Sequence, residues 1–497
     1  MDLSPPTTGE LRSAAERFDF SLTDDALPGF ERRIGEQLAC FDVLGKYDEP
    51  GGTLEPTAWS RDETDRWDDE DPLNAWITRT TVTGTESGPL DGLSVAVKDN
   101  IAVAGVPLTC GTRTLADYTP AVDATVVSRL LDAGATIAGK TNMDELAFSG
   151  LGDTSEYGPT RNPADPTRLA GGSSGGSAIA VATGEADVAL GTDQGGSVRA
   201  PAAWTGVVGH KPTHGLVPYS GCVGLEPALD HVGALASDVE TVARVLDVLA
   251  GSDDVDPRQP TPLPVDAYLP RVRDPMDDLR VAAIEEGFSQ PTGSTDVNEA
   301  VEERLRALRS GGATVDNVSV PMHADGMDIY SASFACSLAI AMRGGWDTER
   351  AGRESIDPVE RAVLERVGGA LPNTVKQTAL LGEYVLERAP EAYAEAMQLR
   401  QRLERQYEAV LAEYDVLAMP TTPRQAVGYD SETGRATVAE EYTPLTNTAP
   451  FDATGHPSLS VPVGHRGDLP VGLMLTGAHF EDATVLHAGR CIERARP

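Results

Sequence analysis

The sequence predicts an α/β protein with a helical extension at its N-terminus. β-branched apolar runs alternate with helical patterns from residue 90 onward. Two sets of apolar residues at helical spacing precede them, before residue 47. Inside the alternation lies one stretch, Gly171 to Pro201, where glycines crowd two serines 24 residues apart, Ser173 and Ser197.

In chain order, Leu11, Ala14, Ala15 and Phe18, then Phe30, Ile34, Leu38 and Phe41, read as two helices broken by Pro28-Gly29. Residues 48 to 72, including RDETDRWDDEDP, read as an exposed acidic connector. GLSVAVKDNIAVAGVPLT is strand-like, with Lys98 at the end of its first apolar run, and DATVVSRLLDAGA is a helix stopped by Gly134. ATIAGKT is the next strand. The serine stretch supplies a small-residue helix (Ser177 to Thr183), a stop at Gly184, a strand (Val188 to Leu190) and a helix start after Ser197. After an acidic, proline-rich loop (253 to 268), LRVAAIEEG restarts the pattern, followed by a helix near 297 to 309. Residues 330 to 413 are largely helical, ending in a long helix with Ala396, Leu399, Leu403, Tyr407 and Val410 on one face. VLAMPTTP, LSVPV and PVGLMLTG are strands, and residues 482 to 494 a final helix. No internal repeat interrupts this order, and everything from 90 to 497 fits one large α/β domain.

The chain has 497 residues, with 40 basic against 77 acidic side chains and a net charge of −37. Such a surface repels phosphates and anionic lipid, which excludes a nucleic-acid reader. Only five of the basic residues are lysines: Lys46, Lys98, Lys140, Lys211 and Lys376. An acidic, lysine-poor chain suits a high-salt interior, where salt screens self-repulsion, although an acidic protein from ordinary salt fits as well. Cys40, Cys110, Cys222, Cys336 and Cys491 are odd in number and scattered. They form no C-x-x-C or Cys/His spacing, so neither a disulfide framework nor a zinc site is expected. The N-terminus lacks the features of a signal peptide, and no apolar run approaches the ~20 residues that span a bilayer. The expectation is a cytoplasmic protein without membrane contact.

Three motifs compete for the chemistry. GATIAGKT (134 to 141) fits the phosphate-loop pattern, but a helix precedes it and its middle is strand-like, the reverse of the required context. GGSSGG matches a nucleophile elbow centred on Ser173 or Ser174, yet PADPTRLA before it is no convincing strand; a base would have to come from His456, His479 or His487. The third reading pairs both serines with a lysine. Backbone N–H groups of Gln194, Gly195, Gly196 and Ser197, just before a helix start, would face a substrate carbonyl. A serine needs a base. His210, His214 and His231 read as satisfying backbone or core hydrogen bonds, whereas a buried lysine with a pKa of about 7–8 can serve. Lys98 suits that demand better than Lys140 or Lys211; its structural alternative is an ion pair with Asp99 or another carboxylate.

VAVKDN, AGKTNMDELAFSG, GGSSGGSA and GTDQGGSVRAPAAWTGVVGHKPTHGLVP, continuing into EPALDHVGALA, DVLAMPTTP and NTAPFDATGHPSLSVP, resemble the amidase signature hydrolases in order and spacing. DQGGS, where many members have D-T-G-G-S, and the helical extension are most similar to the enantioselective amidases of nitrile metabolism. Gln194 argues against the other close branch, the amidase subunit of a tRNA-dependent amidotransferase. The resemblance implies a large mixed β-sheet flanked by helices. It implies a helical extension and connector over 1–85 and a catalytic domain over 86–497, with residues 330–415 shaping the substrate pocket. It further implies Ser197 as nucleophile, Ser173 as a bridging serine on a cis peptide, and neutral Lys98 as base. Gln194, Gly195 and Gly196 match the oxyanion hole, Phe148 a wall of the acyl pocket, and Asp193 and Arg199 supporting residues. The expected reaction hydrolyses a small primary carboxamide without metal or organic cofactor. The alternatives are a nucleotide binder using Lys140, an elbow esterase, and an amidotransferase subunit that depends on partners. Homodimerisation through the N-terminal helices is a further hint.

Overall fold

Period-two alternation in two neighbouring strands decides where the site is built. In the strand Ser94–Lys98, Val95 and Val97 face one buried apolar cluster, whereas Ala96 joins another on the opposite face. In Val188–Asp193, Val188 and Leu190 face the first cluster and Ala189 the second. Small side chains therefore pave one face, and the helix Gly175–Ala182, itself built of small buried residues, packs onto it. That close approach brings the start of this helix over the carboxyl ends of both strands, the end of an open α/β sheet where sites form.

The computed structural model describes residues 4–17, 20–40, 59, 65–66, 71–274, 278–343, 358–367, 369–437 and 443–495. The chain divides into two units, Met1–Thr53 and Leu54–Pro497. In the first, helices Thr8–Arg17 and Leu27–Gln37 bury Leu11, Ala15 and Leu27. Pro28 and Gly29, expected to break the helical pattern, instead sit in the first turn of the second helix, where the missing proline N–H leaves no bond unmade. Phe30 is exposed, and Phe18 and Phe41 lie outside the described residues.

The second unit holds a mixed sheet of twelve strands among the described residues. They are β1 (Asp65–Arg66), β2 (Trp76–Thr83), β3 (Ser94–Lys98), β4 (Thr136–Thr141), β5 (Val188–Asp193) and β6 (Val208–Lys211). The remainder are β7 (His231–Ala236), β8 (Arg280–Ile284), β9 (Thr314–Val318), β10 (Val416–Pro420), β11 (Ser458–Arg466) and β12 (Leu469–Thr476). Their order across the sheet is β1-β2-β4-β3-β5-β7-β6-β11-β12-β10-β8-β9. β4, β3 and β5 run parallel, as do β10, β8 and β9, and the other pairings are antiparallel. The segment read as extension and connector thus contributes two strands, because WITRTTVT alternates like a sheet strand.

Helices Thr125–Asp132, Val239–Leu249, Thr295–Ser310 and Asp482–Arg494 cover the first face through one continuous apolar cluster. The long helix Ala392–Leu411 buries Ala396, Leu403 and Tyr407 as its spacing predicts, but Leu399 is 41% exposed. A five-residue list on one helical face spans more arc than its partner covers.

The phosphate-loop pattern falls on β4. Gly139 has φ +145° at a β-bulge, where a side chain would collide with the Thr78 carbonyl, and Lys140 pairs with Asp99 at 2.9 Å in full burial. The glycine and lysine that resemble a phosphate cradle are sheet-packing residues.

Candidate active site

Lys98 ends β3 and is fully buried. Its Nζ lies 2.8 Å from Ser173 Oγ, 2.9 Å from Thr192 Oγ1 and 3.1 Å from the Thr192 carbonyl, so that a neutral amine donating its two hydrogens to Thr192 turns its lone pair to the Ser173 hydroxyl. None of these partners is charged. Burying an ammonium without a contacting carboxylate is costly, and the group yields its proton instead. Burial accordingly pushes Lys98 down to about 7, against the upward pull of the Asp193 and Asp144 carboxylates.

Ser173 follows Gly172 through a cis peptide, immediately before the helix Gly175–Ala182. Its neighbour Ser174 turns away and donates to the Thr192 carbonyl at 3.2 Å. No strand precedes either serine, so the elbow context is absent among the described residues.

Ser197 sits in the turn between β5 and the helix Arg199–Thr205. Asp193, the last residue of β5, holds that turn: its carboxylate accepts from the Gly196 N–H at 2.6 Å and the Val198 N–H at 3.0 Å. Arg199 clamps the same carboxylate through Nε at 3.0 Å and Nη2 at 2.9 Å, and also bonds Asp452 and the Thr448 carbonyl. Despite complete burial, the Arg199 guanidinium holds the Asp193 carboxyl well below the usual carboxylate range. Gly196 (φ +137°) is confined by the Thr448 hydroxyl, which a Cβ would strike.

The Gly196 N–H, expected to face an oxyanion, is therefore engaged by Asp193. The Gly195 and Ser197 N–H groups have no protein acceptor among the described residues. Gln194 donates its side-chain amide to the Tyr219 hydroxyl at 3.0 Å, while its Oε1 is buried without a partner.

Phe148, Gln194, Gly195 and Ser197 line one cavity of ≈ 360 Å³. Tyr330, Phe334 and Leu381 belong to its apolar wall, with Phe334 between Phe148 (centroids 5.4 Å apart) and Tyr330 (5.8 Å). Three larger clefts, of ≈ 500, ≈ 560 and ≈ 800 Å³, have charged side chains in their linings and contain no lysine.

The remaining candidates lie elsewhere. Lys211, which burial lowers to about 8, bonds the His456 carbonyl at 2.7 Å. His214 and His231 reach the Pro227 and Leu229 carbonyls, His210 faces Asp482, and His487 reaches the Asp274 carbonyl. His456 and His479 contact Glu408. No histidine touches either serine among the described residues. Thr192, Asp144, Thr448, Asp452, Tyr330 and Phe334 also build the site, and sequence reasoning did not single them out. Asp144, Thr192, Thr448 and Asp452 lay inside the quoted motifs, and Tyr330 and Phe334 inside the 330–415 stretch, but no spacing marked any of them individually.

The mixed sheet holds a buried lysine–serine contact near a glycine-bounded serine, and the chain belongs to the Amidase family of amide hydrolases, whose model matches residues 74–486. It is 40% identical to an enantioselective amidase of Rhodococcus rhodochrous, over 97% of this chain and 95% of that protein. It is 41% identical to a glutamyl-tRNA(Gln) amidotransferase subunit of Natronomonas pharaonis, over 84% of this chain and 99% of that protein. The crystal structure of the same amidotransferase subunit from Thermotoga maritima is similar with a TM-score of 0.69 and 32% identity, over 84% of this chain and 86% of that one. Among the described residues no helix is long and apolar enough to cross a membrane.

Proposed function

We propose that this enzyme hydrolyses a primary carboxamide to the carboxylic acid and ammonia through Lys98, Ser173 and Ser197. Neutral Lys98 takes the Ser173 proton as Ser173 takes that of Ser197, and Ser197 Oγ attacks the carbonyl carbon. The oxyanion is met by backbone N–H groups of the Gln194–Ser197 turn, with Gly195 and Ser197 the free donors. The proton returns to the leaving nitrogen, ammonia departs, and water cleaves the acyl-enzyme to acid and free serine. The observation that carries this reading is the 2.8 Å contact between Lys98 Nζ and Ser173 Oγ in an environment that favours the uncharged amine. The aromatic wall of the cavity favours an acyl group with an apolar or aromatic body.

The test is intact-protein mass after incubation with a slow amide or hydroxamate. An acyl adduct is expected on Ser197 and absent from Ser197→Ala; an adduct that persists in that variant overturns the assignment.

The 41% identity to the Natronomonas protein favours a second reading, an ammonia-supplying chain that works only with partners. Similarity to the Rhodococcus amidase extends over 97% of the chain, against 84% for the Natronomonas protein, which supports the first reading. Ammonia release by the purified chain alone separates them. The acidic, lysine-poor composition supports a cytoplasm rich in salt as its working medium.

A further inference from the structure

Glu408, His456 and His479 come from three separate elements: the helix Ala392–Leu411, the loop before β11 and the loop after β12. One ligand atom from each lies within 4.8 Å of the other two. Glu408 Oε1 is 3.1 Å from His456 Nε2 and 2.8 Å from His479 Nδ1, and the two rings stack with centroids 4.2 Å apart.

The far side of each ring fixes which nitrogen carries hydrogen. His479 Nε2 stands 2.8 Å from the Thr454 carbonyl, which can only accept, so Nε2 bears the proton and neutral Nδ1 is a lone pair. The Thr454 hydroxyl donates its own hydrogen to the Pro450 carbonyl at 3.0 Å. Towards His456 Nδ1, at 2.8 Å, it therefore accepts, and neutral His456 Nε2 is a lone pair too. One residue, Thr454, thus sets both tautomers. In those tautomers two imidazole lone pairs and a carboxylate oxygen converge at 2.8 to 3.1 Å, a mutual repulsion that either a bound cation or a proton on a ring must relieve. Outer-sphere acceptors that hold the second N–H of each histidine are the usual support of metal ligands.

We propose that Glu408, His456 and His479 form a binding site for a divalent transition metal of the zinc class, separate from the serine chemistry. Two histidines and a glutamate are a recognised zinc set, with ligand distances of about 2.0–2.2 Å. His456 is fully buried, while the Glu408 side chain is 40% and that of His479 28% exposed, so the metal approaches from the Glu408 side and keeps a position open to water. The site joins the long helix to the turn after Ala449–Ala453, the short helix that carries Asp452, the partner of Arg199. Metal binding braces that turn. The ligands are too far apart in sequence for any local spacing to reveal them.

The test uses the full chain, stripped with a chelator and held in molar NaCl to suppress loose binding to its acidic surface. Zn²⁺ is titrated by calorimetry, with bound metal counted by plasma mass spectrometry, for wild type, Glu408→Gln and Thr454→Val. One Zn²⁺ per chain is expected, lost in Glu408→Gln and weakened roughly 10- to 100-fold in Thr454→Val. Less than one equivalent in wild type, or binding unchanged in Glu408→Gln, overturns the site. Nitrogen-15 spectra of the wild-type histidines give a reading independent of variant folding. Zn²⁺ should shift only the metal-facing nitrogens of His456 and His479, whereas ring nitrogens that are all protonated and indifferent to Zn²⁺ would identify an imidazolium–carboxylate pair and sink the proposal.

Discussion

Lys98 and Lys140 lie on adjacent parallel strands, one residue out of step, and only Lys140 has a carboxylate in contact. Asp99, the residue after Lys98, turns its side chain to Lys140, so the carboxylate nearest in sequence to Lys98 neutralises its neighbour. The strand geometry responsible is alternation: Lys98 and Asp99 point to opposite sides, and the site keeps an amine without a salt-bridge partner.

That isolation has a pH signature. If neutral Lys98 is the base, kcat/KM should fall about tenfold per unit as pH drops below about 7, and Lys98→Met should lose on the order of 10²–10⁴ in rate. Stability should move in a set direction too. Between about 7 and the ordinary lysine value of 10.5, the unfolded chain binds a proton at Lys98 that the folded chain does not, so this residue makes stability rise with pH across that window. Lys98→Met should therefore melt higher than wild type at neutral pH and below, with a flatter dependence. Thermal midpoints of both proteins across that pH range check it.

Arg199 bonds two buried carboxyl groups at once. Arg199→Met should destabilise the fold by about 3–5 kcal/mol near neutral pH, because Asp193 loses the cation that keeps it ionised, whereas burial already pushes the Asp452 carboxyl well above the usual range. The deficit should shrink on acidification, since carboxyls left unpaired and buried take up protons more readily folded than unfolded. Denaturant midpoints at two pH values measure both effects.

Gly196→Ala tests the turn without touching a reacting group. The added methyl meets the Thr448 hydroxyl at a φ of +137°, so the Ser197 turn must shift. A displacement near 1 Å should lower kcat by roughly 10²-fold while the far-ultraviolet circular dichroism stays native.

For the cavity wall, Phe334→Ala removes the ring between Phe148 and Tyr330. Losing aromatic contacts worth about 0.5–1.5 kcal/mol should raise KM for an aromatic amide roughly 2- to 10-fold and leave a small aliphatic amide nearly unchanged. Steady-state kinetics on the two substrates decides it.

The charge of −37 makes a separate claim. Raising NaCl from millimolar to molar should raise the melting temperature by screening self-repulsion. A midpoint indifferent to salt would remove the argument for a saline working medium.

Much of this was legible in the residues. Where lysine is nearly excluded, a lysine ending an apolar strand is conspicuous, and Lys98, Ser173 and the helix between the serines fall where the pattern put them. The parallel strands β3, β4, β5 and β8 read clearly because each is a short apolar run between breakers. β6 and β7 did not, since VGHK and HVGALA are interrupted by glycine and histidine and acquire strand character from their neighbours. Asp452 and Thr448 lay inside a quoted motif, but their pairing with Arg199, some 250 positions away, was silent, because no local pattern encodes a partner at that range.

That separation also orders events during synthesis. The turn bearing Ser197 leaves the ribosome early, yet Asp452, the second carboxyl group that Arg199 bonds, is made 253 residues later. A nascent chain ending at β10 already carries both serines and Lys98 but lacks the Asp452 side of the Arg199 clamp. The clamp on the Ser197 turn is thus completed only as translation nears its end.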